Sequence, residues 1–288
     1  MSDTVKVQWF PGHMAKTRRL IGESLPLIDG VVEIVDARIP VSSRNPELDG
    51  WLGNKPRMIL LNKADVADEQ ATLRWIRHYA AQDILALPVD CKTGKGLNNF
   101  TDVVQRQLGE VLEKYKAKGM VGRTLRLMVV GIPNVGKSSF INRMAGGSKA
   151  KVADKPGVTR GNQWFSVGKG IELMDTAGVL WPKFDDPTVG ERLAFTGAIK
   201  DMVTDVELLA VRLLDIVGMH YASRLEERYK INIPKQADGY ELLQLIGKKR
   251  GMLISGGEID TERAAVMVLD EYRGGKWGRI TLELPKGE

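Results

Sequence analysis

The sequence predicts an α/β domain built around a phosphate-binding loop, followed by a small all-helical domain. Residues 131–138 read G-I-P-N-V-G-K-S, which is the G-x-x-x-x-G-K-S pattern of a P-loop. Residues 62–65 read N-K-A-D and lie before the P-loop in the chain. Beyond residue 201 apolar residues recur at helical spacing, and glycines separate the segments.

The P-loop has the local context that its chemistry requires. The short, β-branched run Leu125–Val130 predicts a buried strand, and Ser139–Ala145 predicts a helix. Glycines let successive backbone N–H groups point at a phosphate, and the helix aims its positive end at the same anion. Lys137 is expected to reach the β- and γ-phosphates, where it is also a catalytic candidate, and Ser138 to bind Mg²⁺. The predicted phosphate contacts are Asn134, Val135, Gly136, Lys137, Ser138 and Ser139.

The N-K-x-D pattern predicts that the base is guanine. A carboxylate such as Asp65 can accept from both N1–H and the 2-amino group of guanine, whereas adenine offers no such pair of donors. We therefore expect GTP and GDP to be preferred over ATP, with Asn62 and Lys63 completing the motif. A later strand ends in D-C-K, a weak match to the loop that packs on the base in GTPases, so Asp90, Cys91 and Lys92 are further candidates.

The order of the motifs indicates a circular permutation. N-K-x-D usually follows the P-loop, but here it precedes it. The same sheet can form if the old termini are joined, at 114–124, and the chain is opened elsewhere. The fold class is thus α/β, a circularly permuted P-loop GTPase domain at 1–185, followed at 186–288 by a linker helix and a helical domain.

Hydrophobic periodicity predicts the remaining elements in order. The predicted strands are Gly30–Ala37, Met58–Lys63, Ile84–Val89, Gln163–Val167 and Ile171–Met174. The predicted helices are Asp68–Ala81, one long helix over Asn98–Lys118, Glu207–Val217, Ala222–Lys230, Tyr240–Lys249 and Thr261–Tyr272. Pro40 and Pro46, which follow Arg38 and Arg44, predict a rigid surface loop, in which the two arginines are either solvated or face phosphate.

Two further segments have the features of nucleotide-sensing switches. Residues 154–160 contain Thr159, a candidate to bind Mg²⁺, sense the γ-phosphate and take part in catalysis. Residues 175–178 read D-T-A-G, where Asp175 is expected to hold the Mg²⁺ shell through water and the Gly178 N–H to contact the γ-phosphate. Many GTPases have a water-orienting glutamine next, but this chain has Val179. We therefore expect slow hydrolysis unless another group places the water.

Composition limits the classes of protein that are possible. The 288 residues are 43% hydrophobic, as in ordinary globular proteins, and include one cysteine, which excludes a disulfide framework and favours the cytoplasm. No apolar run is long enough for a membrane span, and no membrane partner is expected. The net charge is +6, yet residues 201–288 carry 13 Lys and Arg against 15 Asp and Glu. Any RNA contact of the helical domain therefore needs local basic clusters such as residues 248–250.

The combined motifs resemble the circularly permuted GTPases of the ribosome biogenesis GTPase A type and their mitochondrial relatives. The resemblance spans essentially the whole chain. It is carried by W-F-P-G-H-M at 9–14, D-A-R-I-P at 36–40, S-S-R-N-P at 42–46, N-K-A-D at 62–65, the P-loop at 131–138, P-G-V-T at 156–159 and D-T-A-G-V-L-W-P-K at 175–183.

The resemblance implies a bacterial factor acting late in assembly of the large ribosomal subunit. Such proteins bind the immature particle with GTP and leave after hydrolysis that the particle stimulates. The histidine of the first motif, here His13, is implicated in hydrolysis, although the residues alone favour a helix-start role without chemistry. Asparagine at the Asn134 position implies a K⁺ site beside GTP and Mg²⁺. The helical domain resembles an RNA-binding module, and we expect a monomer when the protein is free of the particle.

Two other functions remain open from the sequence. One is a GTP-dependent RNA-binding switch that acts on a different RNA particle. The other is a binding module in which GTP is a structural ligand with negligible turnover, an interpretation that Val179 favours. A kinase or an ATPase is disfavoured by Asp65.

Overall fold

A computed structural model describes residues 12–146, 163–168, 170–178, 180, 181, 184, 186–199 and 205–285, with the side chains of 12–17 not included. The described chain divides into two compact units. One, here called the helical unit, comprises Val66–Asp68 and the chain from Phe184 to Leu282. The other, here called the sheet unit, comprises the remaining described residues.

The sheet unit is built on a six-stranded sheet in the order β3-β2-β1-β4-β6-β5. Neighbouring strands are parallel except for the pair β5–β6. Apolar strands that are buried on both faces are typical of such a parallel sheet. The strands are β1 Gly30–Asp36, β2 Arg57–Asn62, β3 Leu85–Pro88, β4 Leu125–Val130, β5 Trp164–Ser166 and β6 Ile171–Asp175.

Strand β4, which leads into the P-loop, lies in the middle of the sheet. Chain that precedes β4 forms one half of the sheet, and chain that follows it forms the other half. The carboxyl ends of parallel strands in an α/β sheet line the ligand-binding crevice where the strand order reverses. The N-K-x-D motif after β2, the P-loop after β4 and D-x-x-G after β6 therefore open onto the same edge. This arrangement fits the predicted permutation.

The helices of the sheet unit connect these strands. They are α1 Gly12–Ser24, α2 Glu47–Leu52, α3 Glu69–Ala80, α4 Phe100–Gln107, α5 Gly109–Ala117 and α6 Lys137–Met144. The prediction of one long helix over 98–118 was wrong. Leu108 leaves helical geometry, with φ −102° and ψ 17°, and so separates α4 from α5. The 97–99 segment is a short 3₁₀ turn.

The helical unit contains α7 Pro187–Phe195, α8 Val206–Tyr229, α9 Gly239–Lys249 and α10 Thr261–Arg273. The two helices predicted over 207–217 and 222–230 form one 24-residue element, α8, and the predicted break coincides with a kink at Tyr221, whose φ is −139°. Aspartates cap all four of these helices, and Asp238 forms a reciprocal capping box with Glu241. Within the part of the chain described, no helix combines the length and apolar character needed to cross a bilayer.

The last described residues return to the sheet unit. The Glu283 carboxylate accepts hydrogen bonds from the backbone N–H of Val41, at 2.6 Å, and of Ser42, at 3.1 Å. The indole N–H of Trp75 donates to the Glu283 carbonyl at 2.9 Å. The buried Glu283 side chain thereby fixes the loop that follows β1.

Candidate nucleotide-binding site

The P-loop turns that the sequence predicts depend on two glycines. Gly131 has φ +152° and Gly136 has φ +106°, a region that residues with a Cβ rarely adopt. Space is also lacking at both positions. A Cβ at Gly131 would lie 2.5 Å from the Ile34 carbonyl oxygen, and one at Gly136 would lie 2.3 Å from the Asn62 amide nitrogen. The loop is therefore packed closely against both β1 and the N-K-x-D motif.

Lys137 begins helix α6 and turns its side chain back over the P-loop. Its Nζ donates to the carbonyl oxygens of Gly131, at 3.1 Å, and Ile132, at 2.8 Å. Burial lowers the pKa of Lys137 to about 8, while the nearby Asp175 carboxylate acts in the opposite direction. An ammonium held here in a poorly solvated place is suited to receive phosphate oxygens, because their charge compensates for the burial.

The carboxylate of Asp175 fits the predicted magnesium site. Among the side chains described, its Oδ1 is buried and has no hydrogen-bond partner. Burial raises the pKa of Asp175, and Lys137 opposes that rise. Ser138 lies exposed at the start of α6, so its hydroxyl is accessible to a ligand. Asp175, through water, and Ser138 would hold Mg²⁺, which when bound neutralises charge on the β- and γ-phosphates.

The glycine of D-T-A-G lies directly against the P-loop. A Cβ on Gly178 would approach the Pro133 nitrogen to 2.8 Å and the Lys137 Nζ to 3.0 Å. The Thr176 hydroxyl anchors this segment by donating to the Val129 carbonyl at 2.7 Å. The backbone at Gly178 is thus beside the predicted phosphate position, where a side chain would take up space that the γ-phosphate needs.

Asn62 of the N-K-x-D motif joins the phosphate side to the base side. Its amide nitrogen donates to the Val135 carbonyl at 2.6 Å, and its oxygen accepts from the Cys91 backbone N–H at 2.9 Å. Asp65, the proposed guanine acceptor, is exposed and available to a ligand. Lys63 has a left-handed backbone conformation, with φ +61°.

The loop after β3 is shaped by the side chain of Asp90. Its Oδ1 accepts from the backbone N–H of Lys92, at 2.8 Å, and of Thr93, at 3.3 Å. Burial alone would raise the pKa of Asp90, but hydrogen bonds from Thr93 and these backbone groups lower it. Burial raises the pKa of the Cys91 thiol to about 12, so the thiol stays protonated at neutral pH. Asp90 and Cys91 therefore shape the loop, and the Lys92 side chain is exposed.

Several predicted residues fall outside the part of the chain that is described. Thr159 and Val179 are among them, as is the side chain of His13, although its backbone belongs to α1. Their roles stay predictions. The candidate potassium ligand Asn134 is described, and it is exposed in a left-handed conformation with φ +60°. Asn134, Ser138 and Ser139 are brought to the same edge as Asn62 and Asp65.

The two arginines of the loop after β1 differ from both sequence interpretations. Arg38 is neither solvated nor facing phosphate, because its guanidinium is buried on the Asp36 carboxylate at 2.9 Å. Arg44 pairs instead with the buried Glu33 carboxylate at 3.1 Å. The sequence analysis did not single out Asp36, although Asp36 and Arg38 stand in the D-A-R-I-P motif itself.

Comparison with known proteins identifies relatives over nearly the full chain. Residues 126–250 match the family model described as "50S ribosome-binding GTPase". A Bacillus cereus protein named "Ribosome biogenesis GTPase A" is 48% identical over 281 residues, which cover 97% of this chain and 94% of the relative. A Thermotoga maritima protein of the same name is 31% identical over 97% of this chain and 95% of the relative.

Solved structures of a Thermotoga maritima protein, YlqF, have a similar fold. The GDP-bound YlqF structure gives a TM-score of 0.66 at 27% identity and covers 93% of this chain and 100% of that chain. The structure described as GNP-bound gives a TM-score of 0.62, also at 27% identity, over 94% of this chain and 99% of that one. The similarity therefore extends across both compact units.

Proposed function

Because the chain belongs to the ribosome biogenesis GTPase A family, we propose that it acts late in maturation of the large ribosomal subunit. It is a GTPase of ribosome assembly that binds guanine nucleotide. The proposal adds the stage of assembly, the particle that the protein binds and the event that triggers hydrolysis. The protein binds the immature large subunit with GTP, and contact with that particle stimulates hydrolysis and release.

One observation carries the proposal of stimulated turnover. The Gly178 backbone lies against the P-loop, which supports the proposal that its N–H contacts the γ-phosphate. The residue that follows in sequence is Val179, which cannot orient a water molecule by hydrogen bonding. A site that can hold GTP but has no glutamine side chain at this position needs another group to orient the attacking water. We propose that this group reaches the water only when the protein is bound to the particle.

His13 is the proposed group, with Thr159 and a K⁺ ion at Asn134. An imidazole can orient or accept a proton from the attacking water, and a monovalent cation can stabilise charge developing in the transition state. Thr159 would add its hydroxyl to the Mg²⁺ shell. His13 lies in α1, before β1 and far from the P-loop in sequence. We propose that binding to the particle brings its side chain to the γ-phosphate.

The helical unit is the proposed RNA-contacting part. Its overall charge does not favour RNA, but Lys248 and Lys249 are exposed at the end of α9, beside Arg250. Arg263, at the start of α10, is also exposed. A local cluster of this kind can bind phosphates even in a domain of low net charge. We further propose that the protein is cytoplasmic and monomeric when it is not bound to the particle.

Sedimentation with purified ribosomal subunits tests the choice of particle. We expect the protein to co-sediment with immature large subunits in a non-hydrolysable GTP analogue and to stay in the supernatant with GDP. Lys248→Ala/Lys249→Ala should weaken binding by ~10-fold in low salt, since each lost phosphate contact reduces the electrostatic term. Lys114→Ala/Lys116→Ala, two exposed lysines of α5, is the matched control. Preferential binding to small subunits or to another RNA would contradict the proposal.

A further inference from the structure

A buried carboxylate at the carboxyl end of β1 contacts the base-recognition motif. Asp36 Oδ2 accepts from the Lys63 ammonium at 2.8 Å and from Arg38 Nη2 at 2.9 Å. Asp36 Oδ1 accepts from Arg38 Nε and from the Arg38 backbone N–H, each at 3.0 Å. Side-chain exposure is 3% for Asp36 and 1% for Arg38, but 28% for Lys63.

The Asp36–Arg38 pair does not need the lysine in order to be satisfied. The guanidinium already neutralises the carboxylate with a two-pronged contact, and the backbone N–H adds a further bond. Lys63 places a second cation on the same buried group. Ordering this long, flexible side chain costs conformational entropy. Because the Asp36–Arg38 pair does not require it, the contact points to a role for the position of Lys63 itself.

The backbone of the motif is fixed by the same strand end. Asp36 pairs in register with Asn62, and the Ala37 N–H donates to the Asn62 carbonyl at 2.8 Å. Lys63 then takes its left-handed conformation, which reverses the chain toward the exposed Asp65. Both ends of the lysine, its backbone and its ammonium, are therefore held from the end of β1.

We propose that Asp36 is a positioning residue for guanine recognition, acting by anchoring the ammonium of Lys63. With the ammonium fixed, the aliphatic stem of Lys63 lies in one place beside Asp65 and offers a pre-ordered wall to the flat base. Arg38 keeps the carboxylate ionised and correctly turned. This inference rests on the guanine site described above, and it adds two residues outside the N-K-x-D motif to its specificity.

Glu33 provides a matched control on the same strand. Its side chain is 1% exposed and also receives two cations, Arg44 at 3.1 Å and Arg57 at 3.3 Å. Those contacts do not include a residue of the nucleotide-binding motifs. A role that is merely structural predicts that Asp36→Asn and Glu33→Gln behave alike, whereas a positioning role predicts that only Asp36→Asn changes nucleotide affinity.

The test measures fluorescent GDP binding and thermal unfolding for the full-length chain. We expect Asp36→Asn to weaken GDP by ~10-fold, the scale of re-ordering one long side chain, and Glu33→Gln to stay within ~2-fold of wild type. Lys63→Met, which keeps the stem but loses the anchor, should match Asp36→Asn. The double variant should show no further loss, because both changes remove one interaction.

Three results would overturn the inference. The first is equal GDP affinity for Asp36→Asn and Glu33→Gln, and the second is additive loss of affinity in the double variant. The third is unchanged GDP affinity in Lys63→Met, a variant that still tests the inference if Asp36→Asn does not fold. A wild-type chain that binds ADP as tightly as GDP would instead refute the guanine site itself. The two failures are therefore distinguishable.

Discussion

Lys137→Ala lowers the affinity for GDP and GTP by at least ~100-fold, because each hydrogen bond to a charged group contributes ~1.5–3 kcal/mol and the ammonium serves more than one phosphate oxygen. In the free protein this ammonium donates hydrogen bonds to two P-loop carbonyl oxygens. We expect phosphate oxygens to replace these acceptors when nucleotide binds. Titration with fluorescent nucleotide measures the loss. Lys137→Met keeps the buried stem and separates loss of charge from loss of packing.

Lys114→Ala, at an exposed position of α5, is the matched control and should bind as wild type does.

The burial of Lys137 also predicts that nucleotide binding is linked to proton uptake. Its pKa is about 8 in the free site, and phosphate oxygens favour the charged form, so binding raises that pKa. Above pH 8 we expect proton uptake on GDP binding and an affinity that falls as pH rises. Retained affinity in Lys137→Met would contradict the P-loop assignment.

Asp65→Asn shifts base preference from guanine toward xanthine. An amide in place of the carboxylate can accept from N1–H but presents a donor to the 2-position, which suits the carbonyl of xanthine and not the amino group of guanine. We expect GDP affinity to fall ~100-fold, as for a lost charge-assisted contact in a partly desolvated site, and XDP affinity to rise. Competition of fluorescent GDP by GDP, XDP and ADP measures the three preferences.

Asp102→Asn, at an exposed position of α4, is the control and should leave all three affinities unchanged. Asp65 is exposed in the sheet unit, so its substitution should barely change the free energy of unfolding. An unchanged GDP preference in Asp65→Asn would refute the role given to this carboxylate, even if Lys137 behaves as expected.

The sequence was sufficient to predict the architecture of the nucleotide-binding edge. Apolar runs that end directly in G-x-x-x-x-G-K-S, N-K-x-D and D-x-x-G predicted strands, and the structure confirms these as β4, β2 and β6 of one sheet. Such motifs carry their own backbone requirements, as the φ values of Gly131 and Gly136 illustrate. The permuted order does not disturb them, because each motif is local to one strand end.

Contacts between distant segments could not be predicted in this way. Asp36 meets Lys63 only because β1 and β2 pair with Asp36 opposite Asn62, and register is a property of the folded sheet. The carboxylate of Glu283 bonds to Ser42 across 241 positions of sequence. The helix boundary at Leu108 was also missed, since apolar spacing continues through a local departure from helical geometry. The break predicted between Val217 and Ala222 does match the kink of α8 at Tyr221.

GTP turnover with and without purified large ribosomal subunits tests the central claim most directly. It is measured in K⁺ and in Na⁺, for wild type, His13→Ala and the control His220→Ala, whose histidine is exposed on α8. The account predicts slow turnover alone and strong stimulation by the subunit that needs both K⁺ and His13 but not His220. Stimulation that survives in His13→Ala would remove the histidine from the mechanism. The absence of stimulation by any large-subunit particle would contradict the proposed function.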